Sequence, residues 1–417
     1  MQPKNADLKT VQRLAQNQKL WRRVELFKNL IATKETTYLR TVASAADREV
    51  VVEDPVSGEH HKMLMFASNN YLGLANHPLV NKRVREAVER YGSGIGGPPL
   101  LNGYNKLIAE TEERLAALKE QDSAMLFSSG YMTNIGVVSA LAGANDVIIY
   151  DELSHASFYD GIKLTEAKAI QFPHNKIQKL NELLVALSDC AGTVFVCVEG
   201  VYSMDGNLAP LHLIGCLCQS HGAVLIVDDA HGTGVLGKGG SGTASHLDCT
   251  GSIDLNMGTF SKVFAVCGGF LTGSKDLINY LRFHARSYIF SASIPPPVTA
   301  AVLGGLEVLE KEPWLQTQLL ENAGYAVQKL ERFGFCARPE AAIIALKLPA
   351  EMNIRAASFL FHQKGIFINP IEYPAVAAHR QRFRISLMAQ HTKEDIDRLA
   401  GSVEEVWNDP QAYYKEE

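Results

Sequence analysis

Five short apolar runs between residues 124 and 274 constrain the fold more than any other feature of this 417-residue chain. Each is rich in β-forming residues and ends in polar or small residues: AMLFSSG, DVIIYDE, TVFVCVEG, AVLIVDDAHG and GGFLTGS. Longer amphipathic segments, such as 106–118 and 176–187, alternate with these runs. Strands that are apolar on both faces are typical of a parallel sheet with helices on each side. The sequence therefore predicts an α/β fold with a mostly parallel sheet.

The regions on either side of these runs predict a second, smaller domain. Residues 8–31 carry apolar side chains at helical spacing, which predicts surface helices. Beyond the SIPPP turn at 293–297, a helical stretch leads to AAIIALKLP and FRISLM, which predict strands of a smaller sheet. We predict an N-terminal helical arm with a small-domain segment over 1–63, a large domain over 64–297, and a small C-terminal α+β domain over 298–417.

Charge and composition exclude several classes of partner. The net charge is −5, and no run of Lys or Arg forms a basic patch for nucleic acid or an anionic membrane. No apolar stretch approaches the roughly 18 residues of a membrane span. The N-terminus also lacks the apolar segment of a signal peptide. We expect small-molecule substrates and a cytoplasmic protein without a membrane span.

The seven cysteines are scattered and odd in number. The close pair Cys216 and Cys218 lies in a segment with helical spacing, where residues two apart do not face each other. We expect all seven cysteines to be reduced and the protein to have no metal site.

Polar residues at the ends of the predicted strands form a candidate site, because ligands of open α/β sheets bind at the carboxyl ends of strands. The segment FSSGY predicts a strand end and a helix start, so the amides of Gly130 and Tyr131, with Ser129 beside them, would suit a phosphate. The other candidates at strand ends are His155, Ser203, Asp228, His231, Thr259, Ser261 and Lys262.

Each of these residues has an ordinary structural explanation when it is taken alone. An SSG sequence is usually a turn, Asp228 could cap a helix, and Lys262 could lie on the surface. Together they match the needs of pyridoxal phosphate (PLP), which requires a lysine for an imine and an acid near the pyridine nitrogen. His155 could stack on the ring, and His231 and Ser203 could bond to the ring hydroxyl. Amides and hydroxyls of Gly130, Tyr131, Thr259 and Ser261 could hold the phosphate.

The chain resembles the α-oxoamine synthase family of fold-type-I PLP enzymes over residues 66–400. The motifs are SNNYLGLANHP, DELSHASFYDGIKL, EGVYSMDGNLAPL, VDDAHGTGVLG, GTFSKVFAVCGGF, FSASIPP and FRISLMAQHTKEDID. The family includes 2-amino-3-ketobutyrate CoA ligase, 8-amino-7-oxononanoate synthase, 5-aminolevulinate synthase and serine palmitoyltransferase. The resemblance implies an aspartate-aminotransferase-like fold, in which a large PLP-binding domain has a seven-stranded sheet.

The resemblance also implies roles for individual residues. Lys262 would be the Schiff-base lysine, Asp228 the partner of the pyridine nitrogen, and His155 the stacking residue. His231 and Ser203 would contact the ring hydroxyl, and Asn69 would lie near the substrate. Arg384 would hold the carboxylate of the amino acid, with Arg382 as a rival candidate. Members of the family are homodimers, in which Ser291 or Ser293 would reach the phosphate bound by the neighbouring subunit.

The implied reaction is a decarboxylative condensation of an amino acid with an acyl thioester of CoA or acyl carrier protein, which gives a 2-amino ketone, carbon dioxide and a free thiol. Two alternatives stay open at this point. The chain could be another fold-type-I enzyme, such as an aminotransferase or a lyase, or it could be a catalytically silent partner of an active homologue. The presence of Lys262 argues against the silent partner.

The sequence departs from the family pattern in a loop that helps to shape the substrate site in relatives. Pro98, Pro99 and Ile108 stand where a small residue, an arginine and a histidine are usual. Because the loop is largely apolar, we predict an aliphatic acyl chain. Asp229 occupies a position where the family often has Glu, and Ala265 occupies one where Gly is common. Neither change removes a catalytic group.

Overall fold

The computed structural model describes residues 19–31, 37–54, 58–373 and 375–413. The chain divides into two compact units. The smaller unit comprises Met1–Ser68 together with Glu321–Glu417, and the larger unit comprises Asn69–Leu320.

The strands are numbered in chain order over the described residues. They are β1 Thr41–Val42, β2 Glu49–Glu53, β3 His60–Met65, β4 Ser123–Phe127, β5 Val147–Asp151, β6 Lys168–Phe172, β7 Val194–Glu199, β8 Val224–Asp228, β9 Leu255–Thr259, β10 Gly269–Gly273, β11 Ile343–Lys347, β12 Ile366–Phe367, β13 Asn369–Ile371 and β14 Arg382–Ser386.

The α-helices are numbered in the same way. They are α1 Leu20–Ile31, α2 Pro78–Tyr91, α3 Lys106–Leu118, α4 Gly130–Leu141, α5 Ala156–Lys163, α6 Ile177–Ala186, α7 Leu211–His221, α8 Thr243–His246, α9 Lys275–His284, α10 Arg286–Ile289, α11 Pro296–Lys311, α12 Trp314–Leu330, α13 Ile354–Gln363 and α14 Lys393–Trp407.

The larger unit is built on a seven-stranded sheet in the order β4-β10-β9-β8-β7-β5-β6. Strand β10 runs antiparallel to both of its neighbours, whereas the remaining pairs are parallel. All five predicted apolar runs are strands of this sheet, so the prediction of a mostly parallel sheet is confirmed. The register sets Glu199 opposite Asp228, which brings two acids together at the carboxyl ends of β7 and β8.

Apolar cores on both faces explain why these strands are continuous apolar runs. In β7, Val196 and Val198 belong to one core cluster, while Phe195 and Cys197 belong to the other. Successive side chains of a strand point to opposite faces, so each strand contributes to both clusters. Because burying one large apolar side chain contributes about 1.5–3 kcal/mol, such a sheet is a rigid support for the loops at its edge.

The smaller unit contains two sheets, with strand orders β1-β2-β3-β12 and β11-β14-β13. Its helix α14 begins with a capping box, in which the side chains of Thr392 and Asp395 each accept the backbone N–H of the other residue. Arg48 donates to the same Asp395 carboxylate at 2.5 Å. The N-terminal strands are therefore tied to the C-terminal helix within this unit.

The observed division differs from the predicted domain boundaries, which fall after residues 63 and 297. Helix α11 belongs to the larger unit, because it packs closely against α2. A Cβ atom at Gly304 of α11 would lie 3.0 Å from the Cα atom of Val80. Of the helices predicted over 8–31, the structure shows Leu20–Ile31, and residues 8–18 lie outside the described residues.

No helix in the described ranges is long and apolar enough to cross a membrane. The seven cysteines are free thiols. The described residues contain no group of three or more His, Cys, Asp or Glu side chains that could hold a metal ion.

Candidate active site

A cavity of about 290 Å³ lies at the carboxyl ends of β7, β8 and β9 in the larger unit. It is lined by residues at or after the carboxyl ends of five strands, β4, β5, β7, β8 and β9, and by Cys267 and Gly268, which precede β10. The predicted site residues that line it are Ser129, Gly130, Tyr131, His155, Ser203, Asp228, His231, Thr259, Ser261 and Lys262.

The start of helix α4 forms an anion site at one side of this cavity. Ser129 is the N-cap residue, and its side chain accepts the N–H of Met132. Gly130 follows without a side chain, and a Cβ atom there would lie 2.8 Å from Thr259 Oγ1. The hydroxyls of Thr259 and Ser261 are 2.9 Å apart. A helix N-terminus next to several hydroxyls suits a phosphate group.

Lys262 lies in the loop that follows β9, beside these hydroxyls. The N–H of Ala265 donates to the carbonyl of Lys262 at 3.0 Å, which closes the turn. Ala265 has a φ of 54°, in the left-handed region that favours glycine. The non-glycine residue at this position therefore strains the loop that carries the lysine.

Asp228 is the last residue of β8 and is 5% exposed. Its Oδ2 accepts from Asn134 Nδ2 at 2.7 Å, and its Oδ1 accepts from the N–H of Ala230 at 3.0 Å. Both oxygens of this acid thus face N–H donors, an arrangement that suits a carboxylate.

His155 is the N-cap residue of α5, and its Nδ1 accepts the N–H of Ser157 at 3.3 Å. Burial lowers the pKa of His155; the positive charge of Lys262 adds to this effect, and the negative charge of Asp228 opposes it. The rings of Tyr131 and His155 lie nearly perpendicular with centroids 6.0 Å apart, and the Tyr131 hydroxyl donates to Asp160. Burial therefore disfavours the protonated form of His155, whose ring contacts Ser157 and Tyr131.

His231 and Asn69 are linked through Tyr71. The Tyr71 hydroxyl lies 2.7 Å from His231 Nδ1 and donates to Asn69 Oδ1 at 3.2 Å. Ser203 is held by its backbone N–H, which donates to Glu199 Oε2 at 3.1 Å. Asn69 does not line the cavity itself, but two hydrogen bonds, through Tyr71, connect it to His231, which does.

Ser291 and Ser293 lie in a neighbouring segment of the larger unit rather than in the cavity. Ser291 Oγ donates at 3.3 Å to Ser128 Oγ, which does line it. The N–H of Ser293 donates to the carbonyl of Gly97 at 3.0 Å. Both serines line a small cavity together with Pro99 and Ile108, two of the residues that depart from the family pattern.

Arg382 and Arg384 lie in the smaller unit on β14, two residues apart and therefore on one face of the strand. They are 1% and 5% exposed. Arg382 Nε donates to the carbonyl of Arg380 at 2.9 Å.

Three residues in or next to the cavity were not identified as candidates from the sequence: Glu199, Asn134 and Ser157. Glu199 lines the cavity, and burial raises its pKa well above the ordinary range, with a further contribution from the charge of Asp228. It is the last residue of β7, so the strand-end rule could have found it. Asn134 is an interior residue of α4 and Ser157 is the second residue of α5, and the strand-end rule points to neither.

Asp229 also proves more important than the sequence indicated. Its carboxylate accepts from Lys119 Nζ at 2.6 Å and from Thr243 Oγ1 at 2.6 Å, with 0% of Asp229 and 3% of Lys119 exposed. This buried ion pair anchors the chain directly after Asp228. The sequence indicated no catalytic role for Asp229, but the crowded site makes even an Asp229→Glu replacement costly.

The cavity thus combines a lysine, an acid at a strand end, a flat imidazole and an anion site at a helix N-terminus. These are the groups that PLP requires, and the lining residues fit it. Together with the sheet, they define the fold-type-I class of PLP-dependent enzymes.

Comparisons with known proteins agree with this class. Residues 61–403 match the family "Aminotransferase class I and II". The chain is 37% identical over 361 residues to a serine palmitoyltransferase of Sphingobacterium spiritivorum, which covers 86% of the chain and 89% of that protein. It is 37% identical over 383 residues to an 8-amino-7-oxononanoate synthase of Bacillus pumilus, covering 89% and 97%.

The chain also resembles the 4-hydroxy-2,2'-bipyrrole-5-methanol synthase PigH of Serratia sp., with 36% identity over 348 residues, and it spans about half (53%) of that protein. Among solved structures, a Sphingomonas wittichii serine palmitoyltransferase matches with a TM-score of 0.86 and 30% identity over 96% of this chain and 98% of that one. A serine palmitoyltransferase solved with PLP matches equally well in TM-score.

The chain belongs to the aminotransferase class I and II family and, within it, to the α-oxoamine synthases. It is a PLP-dependent acyltransferase of the type that condenses an amino acid with an acyl thioester. The resemblance and fold class inferred from the sequence are confirmed.

Proposed function

We propose that this chain joins an amino acid to an acyl thioester with an aliphatic acyl chain, and that Lys262, Asp228 and His155 are its central active-site residues. One observation carries the proposal: these three residues line a single cavity that also contains an anion site at the start of α4. PLP bound there would supply the electron sink for a carbanion at the amino acid Cα.

The residues around the cavity have separable tasks in this proposal. Lys262 Nζ takes the proton from Cα as the general base. Asp228 holds a proton at the pyridine nitrogen of the cofactor, a role that suits an acid whose two oxygens already face donors. His155 would cover one face of the ring. The hydroxyls of Thr259 and Ser261 and the amides of Gly130 and Tyr131 hold the phosphate.

Arg384 is proposed to bind the carboxylate of the amino acid, because its planar fork gives bidentate recognition. The resemblance to the family supports this assignment over Arg382. An Arg384→Ala variant should lower kcat and raise KM together, since the same contact orients the Cα–H bond.

The aliphatic acyl chain is inferred from the loop around a short π-helical turn, Pro99–Gly103. Leu100 and Leu101 of this turn are 37% and 81% exposed, and no arginine stands there to meet a charged acyl group. The result that would contradict this is a higher kcat/KM with succinyl- or pimeloyl-CoA than with medium or long saturated acyl-CoAs.

We further propose that the protein is a homodimer in which Ser291 or Ser293 contacts the phosphate bound by the partner subunit. Exposed apolar side chains on adjoining segments support this: Leu101 is 81% exposed and Phe290, next to Ser291, is 73% exposed. Apolar surface of this kind is usual at interfaces between protein chains. A cytoplasmic location is proposed because seven free cysteines suit a reducing compartment.

The test combines cofactor mapping with an acyl donor panel. Borohydride reduction of the purified protein followed by peptide mapping should place a pyridoxyl group on Lys262. A Lys262→Ala variant should lose the label, and a Lys179→Ala control on the surface should keep it. A panel of amino acids against acyl-CoAs of increasing length, measured by thiol release, then identifies the substrates. A label on another lysine would overturn the assignment.

A further inference from the structure

Two buried side chains, Asn134 and Ser157, connect Asp228 to His155. Asn134 Nδ2 donates to Asp228 Oδ2 at 2.7 Å and to Ser157 Oγ at 2.9 Å. Ser157 Oγ lies 2.8 Å from His155 Nδ1. Asn134 is 1% exposed and Ser157 0% exposed, so bulk water does not compete for these bonds. The four side chains form one continuous chain of hydrogen bonds.

This chain of hydrogen bonds has a single consistent direction. An ionised Asp228 can only accept, so Asn134 must present its amide nitrogen, and both of its N–H groups are then used. Because Ser157 Oγ accepts one of them, the hydroxyl hydrogen is available to donate to His155 Nδ1. The backbone N–H of Ser157 also points to Nδ1, at 3.3 Å. Nδ1 therefore faces two donors, which puts the ring proton on Nε2.

The Asn134 amide keeps this orientation although its oxygen makes no hydrogen bond to the described residues. Oδ1 is buried and has no hydrogen-bond partner among the residues that the structure describes. The flipped amide would direct Oδ1 at the Asp228 carboxylate, where two acceptors would face each other. An unpartnered buried acceptor is unfavourable, which indicates that the two donated bonds determine this position.

The charged groups around Asp228 show why the direction matters. Lys262 lies near His155, and Glu199 stands opposite Asp228 in the strand register. A protonated His155 would add a second cation next to Lys262 and would compete for the charge of Asp228. A neutral His155 leaves that charge available to the cofactor.

We propose that Asn134 is a positioning residue of the cofactor cavity, which holds Asp228 as an acceptor and, through Ser157, keeps His155 as the neutral Nε2–H tautomer. The proposal rests on the function proposed above, in which Asp228 and His155 contact the cofactor ring.

Three variants separate the two arms of the chain of hydrogen bonds. Asn134→Asp keeps the shape but replaces the donor by a second carboxyl beside Asp228. Ser157→Ala removes the arm to His155 and leaves the bond between Asn134 and Asp228. Ser139→Ala is the matched control, because Ser139 lies on the same helix as Asn134 and its hydroxyl donates to the backbone carbonyl of Ile135.

The measurements are nitrogen-15 NMR of histidine-labelled, cofactor-free protein and the Kd for PLP from absorbance titration. The His155 signals are assigned by their loss in His155→Asn. In the wild type and in Ser139→Ala, Nδ1 should be unprotonated and Nε2 protonated. In Asn134→Asp, the Ser157 hydroxyl should turn to the new carboxyl, Nδ1 should gain a proton, and the Kd should rise by about tenfold or more, equivalent to about 1.4 kcal/mol.

Ser157→Ala should shift the His155 signals while changing the Kd by less than about threefold, because the arm to Asp228 is intact. Wild-type signals and a wild-type Kd in Asn134→Asp would overturn the proposal. If that variant does not fold, unchanged His155 signals in Ser157→Ala overturn it. Failure of the proposed function looks different: wild-type protein would then not carry PLP on Lys262, whatever the histidine signals show.

Discussion

The buried ion pair between Lys119 and Asp229 should be a main support of the active site, and replacing either residue should be costly. Lys119 Nζ donates to Asp229 Oδ2 at 2.6 Å and to Thr233 Oγ1 at 2.7 Å. Burial lowers the pKa of Lys119, and the charge of Asp229 opposes this shift. Removing one partner of such a pair leaves a buried charge unpaired, which costs about 3–5 kcal/mol.

We therefore expect Asp229→Asn to lower the free energy of unfolding by about 3–5 kcal/mol, a large share of the 5–15 kcal/mol typical of a protein. Asp229→Glu should lower it by about 1–3 kcal/mol, because the site has no room for another methylene. A Cβ atom at Gly232 would lie 2.1 Å from Asp229 Oδ1, and one at Gly242 would lie 1.8 Å from Oδ2.

Urea unfolding of the cofactor-free protein, followed by circular dichroism, measures these changes. The control is Glu182→Gln, which breaks an exposed ion pair with Lys179 and should change stability by about 0–1 kcal/mol. In a Lys119→Met background, Asp229→Asn should cost much less, since no cation is left unpaired. If Asp229→Asn is no more destabilising than Glu182→Gln, the reasoning is refuted.

Three further predictions concern the residues around the cavity. Asp228→Asn should raise the Kd for PLP by roughly 10–100-fold. The NH₂ group of the new asparagine must face either Asn134 Nδ2 or the N–H of Ala230, and both of these are donors. A wild-type Kd by absorbance titration would contradict this prediction. Ala265→Gly should raise the free energy of unfolding by about 0.5–1 kcal/mol, since φ at this position is 54°; a lower Tm would count against it. Burial raises the pKa of Glu199, so the contribution of Glu199 to stability falls as pH rises from the ordinary Glu pKa through the raised one. The Tm of Glu199→Gln should therefore rise relative to that of the wild type over that range. Tm curves that stay parallel from pH 5 to pH 8 would refute the inference that burial raises this pKa.

Sequence patterns predicted the central strands well, because they are buried on both faces and their apolar runs end at polar loops. The edge strand β6, KAIQF, was not singled out, since only Phe172 of it is fully buried. Strand β9, LNMGT, was also missed, because it has few β-forming residues. Its Gly258 makes room for the ring of Phe270, and a Cβ atom there would lie 2.3 Å from that ring. That contact depends on strand pairing and cannot be read from the local sequence.

The residues of the candidate site also fall into those that the sequence predicted and those that it did not. Lys262, Asp228 and His155 follow strand ends, so the rule for α/β sheets was enough to find them. Asn134 lies inside α4 and Ser157 lies in the first turn of α5, and Asn134 meets Asp228 across 94 residues of chain. Only the packing of helices α4 and α5 against the sheet brings these groups together, which explains why no local pattern revealed them.

The central claim is the decarboxylative condensation, and the fate of the amino acid carboxylate tests it most directly. Purified enzyme with PLP is incubated with an acyl-CoA and an amino acid labelled with carbon-13 in the carboxylate, while free thiol is measured in parallel. We predict one labelled carbon dioxide and one thiol for each amino ketone formed. Label that stays in the amino ketone, or that appears in a free keto acid while no thiol is released, would contradict the claim and favour an aminotransferase.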